Sequence, residues 1–129
     1  MDPSSKPCPF CDPSIRGRVI AELGTVFGIR DAYPVTPGHS LIIPRRHVLD
    51  FFTMTDEEHR DMFAFFGLLR ERLLAEDPEI TGFNFGMNCG RSAGQTVPHA
   101  HLHLIPRRDG DCEKPQGGVR GVIPGRQAY

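Results

Sequence analysis

Three histidines near the end of the chain, His99, His101 and His103, alternate with apolar residues. Successive side chains of a β-strand point to opposite faces, so this spacing predicts a strand over 97–105 with all three imidazoles on one face. A neutral imidazole is both a metal ligand and a nucleophile near neutral pH. The pattern therefore indicates either a three-histidine metal site or a nucleophilic histidine with supporting neighbours.

The sequence before the histidines favours the nucleophile. A metal-dependent hydrolase normally adds an open coordination position and a nearby carboxylate base. Neither the predicted strand nor the loop over 88–96 contains Asp or Glu. That loop instead offers backbone N–H groups, amides and hydroxyls, which are suited to donating hydrogen bonds to phosphate oxygens.

Cys8 and Cys11 have the close spacing of a zinc knuckle or a redox pair. No βαβ pattern surrounds them, which disfavours a thioredoxin-like role, and a metal-free arm that merely packs is the other alternative. Nothing in the sequence suggests secretion, so we expect a cytoplasmic protein with reduced thiols.

Length and composition predict a single domain over 1–129, with an N-terminal arm over 1–18 and a C-terminal tail over 107–129. Hydrophobic residues make up 39% of the chain and the formal net charge is −1, which gives no case for binding to nucleic acid or membranes. There is no apolar run of transmembrane length and no signal-peptide pattern.

Secondary-structure signals predict the elements that position these residues. A hairpin over 19–30 turns near Leu23-Gly24, a short buried strand over 39–43 is stopped by Pro44, and a third strand covers 80–88. The segment 118–124 could pair as an edge strand. Together with the histidine strand, these elements give an antiparallel sheet with one main helix, an α+β fold.

The main helix is predicted from a capping box, with Thr55 at the N-cap and Glu58 three residues on. It should run to about Ala75, before Pro78. Apolar residues recur at helical spacing, and we expect them, including the phenylalanines, to face mainly the core, with part of the aromatic excess at an interface: Met62, Phe63, Phe65, Phe66, Leu69 and Leu73.

The segment His99-Ala100-His101-Leu102-His103-Leu104-Ile105 resembles the histidine triad signature, in which three histidines alternate with apolar residues. The lead-in segment over 94–98 and the Pro-Gly-His block within 36–47 are similar to further motifs of the histidine triad (HIT) family. The resemblance covers roughly residues 8–108 and implies the HIT-like fold, with a five-stranded antiparallel sheet.

The resemblance also implies an activity. His101 would attack the α-phosphorus of a nucleotide derivative and form a covalent histidine–nucleotide intermediate, which water then hydrolyses. His103 would contact the phosphate or the leaving group, and His39 and His99 would support the triad. No catalytic metal is needed. A nucleotide-binding module without significant catalysis is the alternative.

Further residues take roles from the resemblance alone. Phosphate oxygens would be held by Asn88, Gly94, Gln95 and Thr96. Asp31 would accept the ribose hydroxyls, although a plain turn residue is its alternative, and Ile29 would line the base pocket. One structural zinc would be bound by Cys8, Cys11, His47 and His99. The substrate would be a purine nucleotide, and the family resemblance implies a homodimer formed through the main helix and a sheet edge.

Overall fold

A computed structural model describes residues 7–129, so the first six residues of the predicted arm lie outside the described part. The core is a five-stranded antiparallel sheet with the spatial order β1-β2-β3-β5-β4. Its strands are β1 (Val19–Leu23), β2 (Val26–Arg30), β3 (Ser40–Pro44), β4 (Gly82–Gly86) and β5 (Leu102–Arg107). One long helix, α1 (Asp56–Glu76), packs on the sheet. The predicted α+β fold is confirmed.

Helix α1 begins as its capping box predicts. The Thr55 hydroxyl accepts a hydrogen bond from the Glu58 N–H, and the Glu58 carboxylate accepts one from the Thr55 N–H. The buried stripe of the helix contains Phe65, which is 2% exposed, whereas Phe63 is 83% exposed. The expectation of a core position is therefore wrong for Phe63, because residues 63 and 65 are separated by about 200° around a helix.

The two faces of the sheet carry separate apolar clusters. Helix α1 covers one face, where Val26, Ile42 and Leu104 are fully buried. The opposite face buries a smaller set under the N-terminal arm: Ile15, Phe27, Ile29, Leu41 and Ile43. Because His103 is paired with Leu41 across β3 and β5, its side chain shares the face of the arm.

The predicted histidine strand begins later than its alternation suggested. Residues 97–99 form a bend in which the His99 N–H donates to the Val97 carbonyl at 2.8 Å, and β5 starts only at Leu102. Neither neighbouring strand pairs with residues before Leu102. The pairing of β5 with β3 begins at Leu102, and the pairing of β5 with β4 begins at His103, opposite Gly86 at the end of β4. His99 and His101 therefore precede the strand.

The predicted edge strand over 118–124 is also wrong. The tail forms a short 3-10 helix (Gly118–Val122) that lies beside β4. Gly117 and Gly118 have φ angles of 87° and 37°, which are incompatible with an extended strand. None of the helices formed within residues 7–129 is both long and apolar enough to span a membrane.

Candidate active site

His101 stands half-buried directly before β5. Its Nδ1 lies 2.8 Å from the backbone carbonyl oxygen of His99. A carbonyl oxygen only accepts hydrogen bonds, so Nδ1 carries the proton and donates it. The neutral His101 ring therefore keeps its free electron pair on Nε2, which is the atom available for nucleophilic attack.

A second hydrogen-bond chain fixes the protons of His39 and His103. The Val35 N–H donates to His39 Nδ1 at 3.1 Å, which leaves the proton of the neutral ring on Nε2. His39 Nε2 lies 2.9 Å from His103 Nδ1 and donates to it. His103 consequently carries its own proton on Nε2 and can donate that proton to a ligand.

Both supporting histidines are neutral at pH 7. Burial, together with the neighbouring His101 and His39, lowers the pKa of His103 from 6.5 to about 4, and Asp31 opposes the shift. Burial also lowers the pKa of His39, again opposed by Asp31. His39 and His103 therefore stand beside His101 as uncharged imidazoles.

Asp31 faces this pair of histidines. Its Oδ2 lies 3.4 Å from His39 Nε2 and 3.9 Å from His103 Nδ1. Its other carboxylate oxygen accepts a hydrogen bond from the Tyr33 N–H, which is the turn interaction considered as the alternative role. The carboxylate therefore braces the turn before Pro34 and also points an oxygen into the histidine cluster.

The four residues predicted as metal ligands meet in space. Their ligand atoms all lie within 4.8 Å of one another: Cys8, Cys11, His47 and His99. His99 Nδ1 is 3.4 Å from Cys8 Sγ, 3.5 Å from Cys11 Sγ and 3.2 Å from His47 Nδ1. The edges of a tetrahedron around zinc measure roughly 3.3–3.8 Å, given the usual Zn–S and Zn–N bonds. The donor set and spacing fit a closed structural site.

His99 belongs to this cluster and is separated from the open histidines. It is fully buried, and its Nε2 donates to the Pro44 carbonyl at 2.8 Å, so its Nδ1 electron pair points at the cysteines. That hydrogen bond is the kind of outer contact that orients a metal-ligating histidine. A metal centre shared by His99, His101 and His103 does not fit this arrangement, because His99 faces the cysteines.

The loop before the histidines is braced by Gln95. Its side-chain amide donates to the Leu49 and Val97 carbonyls at 2.7 and 3.1 Å, and its oxygen accepts from the Gly90 N–H at 2.9 Å. These three bonds hold the Gln95 side chain against the backbone of its own loop and of Leu49. Gly94 and Thr96 lie exposed in the same loop.

A cleft of about 490 Å³ opens beside the supporting histidines. Its lining combines histidines, amides and tail residues: His39, His103, Asn84, Asn88, Val119 and Val122. Asn88, which was predicted to hold a phosphate oxygen, lines this cleft. The tail residues and Asn84 were missed, since no motif marks them. Ile29 is buried under the arm and does not line this cleft.

Phe10 is a further residue that the sequence did not indicate. It stands between the two cysteine ligands, and its ring meets His99 and His101 edge-on, with centroid distances of 5.7 and 5.1 Å. The only signal available in the sequence was its place inside the Cys8–Cys11 pair.

The sheet, the long helix α1 and the histidine cluster define an α+β protein of the kind built around a histidine triad. The signature of the HIT domain matches residues 12–110. The chain therefore belongs to the HIT domain family.

Two curated relatives come from Mycobacterium tuberculosis. The chain is 35% identical over 97 residues to an AP-4-A phosphorylase, a match covering 74% of this chain and 49% of that one. The chain thus spans about half the length of that relative. It is also 38% identical over 111 residues to an uncharacterized HIT-like protein, a match covering 81% of this chain and 74% of the other.

Solved structures show the same fold. A HIT family protein from Bacillus anthracis is similar with a TM-score of 0.72 and 38% identity, covering 80% of this chain and 74% of that chain. A histidine triad nucleotide-binding protein from Candida albicans has a TM-score of 0.69 and 34% identity, covering 80% of this chain and 76% of its own.

Proposed function

We propose that the protein hydrolyses or transfers the nucleotidyl group of nucleoside 5′-phosphoryl compounds through a covalent intermediate on His101. The observation that carries this proposal is the hydrogen bond from His101 Nδ1 to the His99 carbonyl, which orients the ring and, in its neutral form, leaves the electron pair on Nε2. The names of the relatives, an AP-4-A phosphorylase and a histidine triad nucleotide-binding protein, agree with a nucleotide substrate.

In the first step the Nε2 electron pair of His101 forms a bond to the α-phosphorus, and the bond from phosphorus to the leaving group breaks. The His103 Nε2–H donates a hydrogen bond to the leaving group as it gains charge, and the leaving group departs with its electron pair and takes any proton that it needs from solvent. In the second step water attacks the same phosphorus and releases a proton to solvent, the phosphorus–nitrogen bond breaks, and the electron pair returns to Nε2. The His99 carbonyl stabilises the positively charged adduct ring through the Nδ1 proton.

We assign the nucleotide-binding roles on the basis of these positions. Asp31 binds the ribose hydroxyls through the oxygen that faces the histidines, and Asn88 with the backbone around Gly94 and Thr96 holds the phosphate. Gln95 acts by shaping that loop. Ile29 supports the base site from beneath the arm. The base is a purine, and phosphoramidates, adenylate conjugates and dinucleoside polyphosphates are the candidate substrates.

We further propose that Cys8, Cys11, His47 and His99 hold one structural zinc ion, and that the chain belongs to a zinc-bearing bacterial-type branch of the family. When bound, zinc supplies a rigid link between the N-terminal arm and the segment before His101. The two sulfur and two nitrogen donors are those that closed structural zinc sites use. Catalysis itself needs no metal in this scheme.

Trapping the intermediate tests the proposal. A radiolabelled adenosine 5′-phosphoramidate, mixed with the enzyme and quenched with alkali, should label the wild-type protein on the peptide containing His101. His101→Ala should form no adduct and retain nucleotide binding, while His59→Ala, which removes a histidine on α1, should label normally. Nucleotide binding without any adduct or turnover in the wild-type protein would favour a binding module instead.

The apolar surface of α1 supports a homodimer. A groove of about 750 Å³ is lined mostly by aromatic and apolar side chains, and Phe63, Phe66 and Phe85 are among them. Phe66 and Phe85 pack at 4.8 Å, which joins the helix to the edge strand β4. A contiguous exposed patch of this kind is typical of an interface. We propose that two copies pair here. We also propose that the protein acts in the cytoplasm as one domain, with its four cysteines reduced and without disulfide bonds.

Sedimentation velocity tests the pairing. The wild-type protein should sediment as a dimer, and Phe63→Glu should sediment as a monomer because a charge in the groove opposes burial. Phe52→Glu is the matched control, since Phe52 is 80% exposed and does not line the groove. A wild-type protein that is monomeric at micromolar concentration would contradict the proposal.

A further inference from the structure

Phe10 joins the metal cluster to the catalytic histidine by direct contact. It lies between Cys8 and Cys11 in the chain, and these two cysteines supply half of the metal donors. Its ring centroid is 5.7 Å from that of His99 at an interplanar angle of 86°, and 5.1 Å from that of His101 at 62°. One aromatic side chain thus touches both a metal ligand and the residue to which we assign the attack.

The ring of His101 is held from three directions. The His99 carbonyl fixes Nδ1, His103 packs against the ring at a centroid distance of 5.2 Å, and Phe10 packs at 5.1 Å. A single hydrogen bond allows the ring to tilt about its axis, whereas packing against two further rings restricts that motion. The direction of the Nε2 electron pair consequently depends on Phe10.

The position of Phe10 depends in turn on the cysteines. The Cys11 N–H donates to the Cys8 carbonyl at 3.1 Å, which closes a tight turn around Phe10. The sulfur atoms of this turn contact His47 and His99, at 3.3 Å from Cys11 to His47 and 3.4 Å from Cys8 to His99. The Phe10 ring also packs against the apolar cluster of the sheet that contains Ile15 and Ile29. A metal ion at the cluster would fix the backbone of the turn and would add to this packing in holding the Phe10 ring.

We propose that Phe10 is a positioning residue for His101, and that the metal cluster acts on catalysis through it. This inference rests on the proposed function. It predicts that loss of the Phe10 ring slows attack on phosphorus without weakening the metal site. The rate of attack should fall by roughly tenfold, which is the upper end of what one edge-on aromatic pair contributes.

The test compares Phe10→Leu, Phe10→Tyr and the control Phe52→Leu. Single-turnover adduct formation with the labelled phosphoramidate gives the rate of attack, steady-state kinetics give KM, and metal analysis gives the zinc content. At saturating substrate, Phe10→Leu should form adduct about tenfold more slowly and retain about one zinc per chain. Phe10→Tyr retains the ring and should restore the rate, and Phe52→Leu should match the wild-type protein.

A readout without substrate completes the test. In ¹⁵N-edited NMR spectra of the zinc-loaded protein, the Nδ1 and Nε2 signals of His101 should report one tautomer in the wild type. Phe10→Leu should shift these signals toward the averaged values of a mobile ring, and Cys8→Ser should produce the same shift through loss of the metal.

Three results would overturn the inference: wild-type rate and spectra in Phe10→Leu, a raised KM with an unchanged rate of attack, or loss of zinc from Phe10→Leu. The second result would make Phe10 a substrate contact only, and the third would reverse the direction of dependence. A wild-type protein that forms no adduct would defeat the proposed function instead, and the NMR comparison would still decide whether Phe10 positions His101.

Discussion

Removing the His103 imidazole should flatten the pH dependence of stability below pH 7. His103 has a pKa of about 4 in the folded protein, against 6.5 for an ordinary histidine, because it is buried beside two other imidazoles. Below about pH 6.5, His103 binds a proton in the unfolded chain but stays unprotonated in the folded protein until a lower pH. The contribution of His103 to stability is therefore fully present above pH 6.5, the pKa in the unfolded chain. It is lost as the pH falls from 6.5 toward about 4, the pKa in the folded protein.

The size of this effect follows from the two pKa values. Each unit of difference corresponds to about 1.4 kcal/mol, and linkage between about pH 7 and pH 5 gives a loss of about 2 kcal/mol from this one group. The side chain is 24% exposed, so most of that loss should be expressed. His103→Asn keeps a polar group that can accept the proton of His39 but does not titrate.

Urea denaturation followed by far-UV circular dichroism measures the effect, since the chain has no tryptophan to serve as a fluorescent probe. Between about pH 7 and pH 5, the unfolding free energy of wild type should fall by about 2 kcal/mol more than that of His103→Asn. His59→Asn controls for loss of a histidine outside the cluster. Parallel pH curves for wild type and His103→Asn would refute the claim that His103 is buried as a neutral ring.

Three further changes have definite expectations. Cys11→Ser should lower the zinc content measured by mass spectrometry and reduce the unfolding free energy by more than about 3 kcal/mol. Unchanged zinc content and stability would contradict the proposed zinc site. Gly28→Ala should cost about 1–3 kcal/mol in denaturation, because the new methyl would lie 2.9 Å from the buried Phe65 ring. Gly67→Ala is the control, because its new methyl would meet nothing within 4 Å, and it should be neutral or stabilising. Equal changes in unfolding free energy for Gly28→Ala and Gly67→Ala would contradict the packing argument. Asp31→Asn should raise KM for ribonucleotides roughly tenfold and leave KM for 2′,3′-dideoxynucleotides unchanged; an equal rise for both would exclude a ribose contact.

Local signals in the sequence predicted much of the fold. The Thr55 capping box placed the start of α1, and Pro78 placed its end within one or two residues. The hairpin turn near Gly24 was also found, because a residue with a φ of 53° at a tight turn is most readily a glycine. These features depend on residues close together in the chain, which a single sequence reveals directly.

Features that depend on distant partners were harder to predict. The helix contains Phe63, Phe65 and Phe66 within four positions, and periodicity alone does not say which of them faces the sheet. The conformation of the tail depends on Gln127, whose side chain donates to the carbonyls of Lys114 and Gln116 and holds the segment as a compact loop. Val119 and Val122 suggested a strand because the sequence does not reveal the hydrogen bonds that Gln127 makes to residues 11–13 positions earlier in the chain.

The late start of β5 has a consequence for the site itself. In an unbroken strand the three triad histidines would point the same way, and one set of ligands would have to serve both metal binding and catalysis. The bend over 97–99 instead turns His99 toward the cysteines, while its carbonyl still fixes the proton of His101. His99 thus supplies a side chain to the cluster of cysteines and histidines and a backbone oxygen to His101. The alternating histidines reach two different clusters, with His99 in one and His103 in the other, because residues 97–101 lie outside β5.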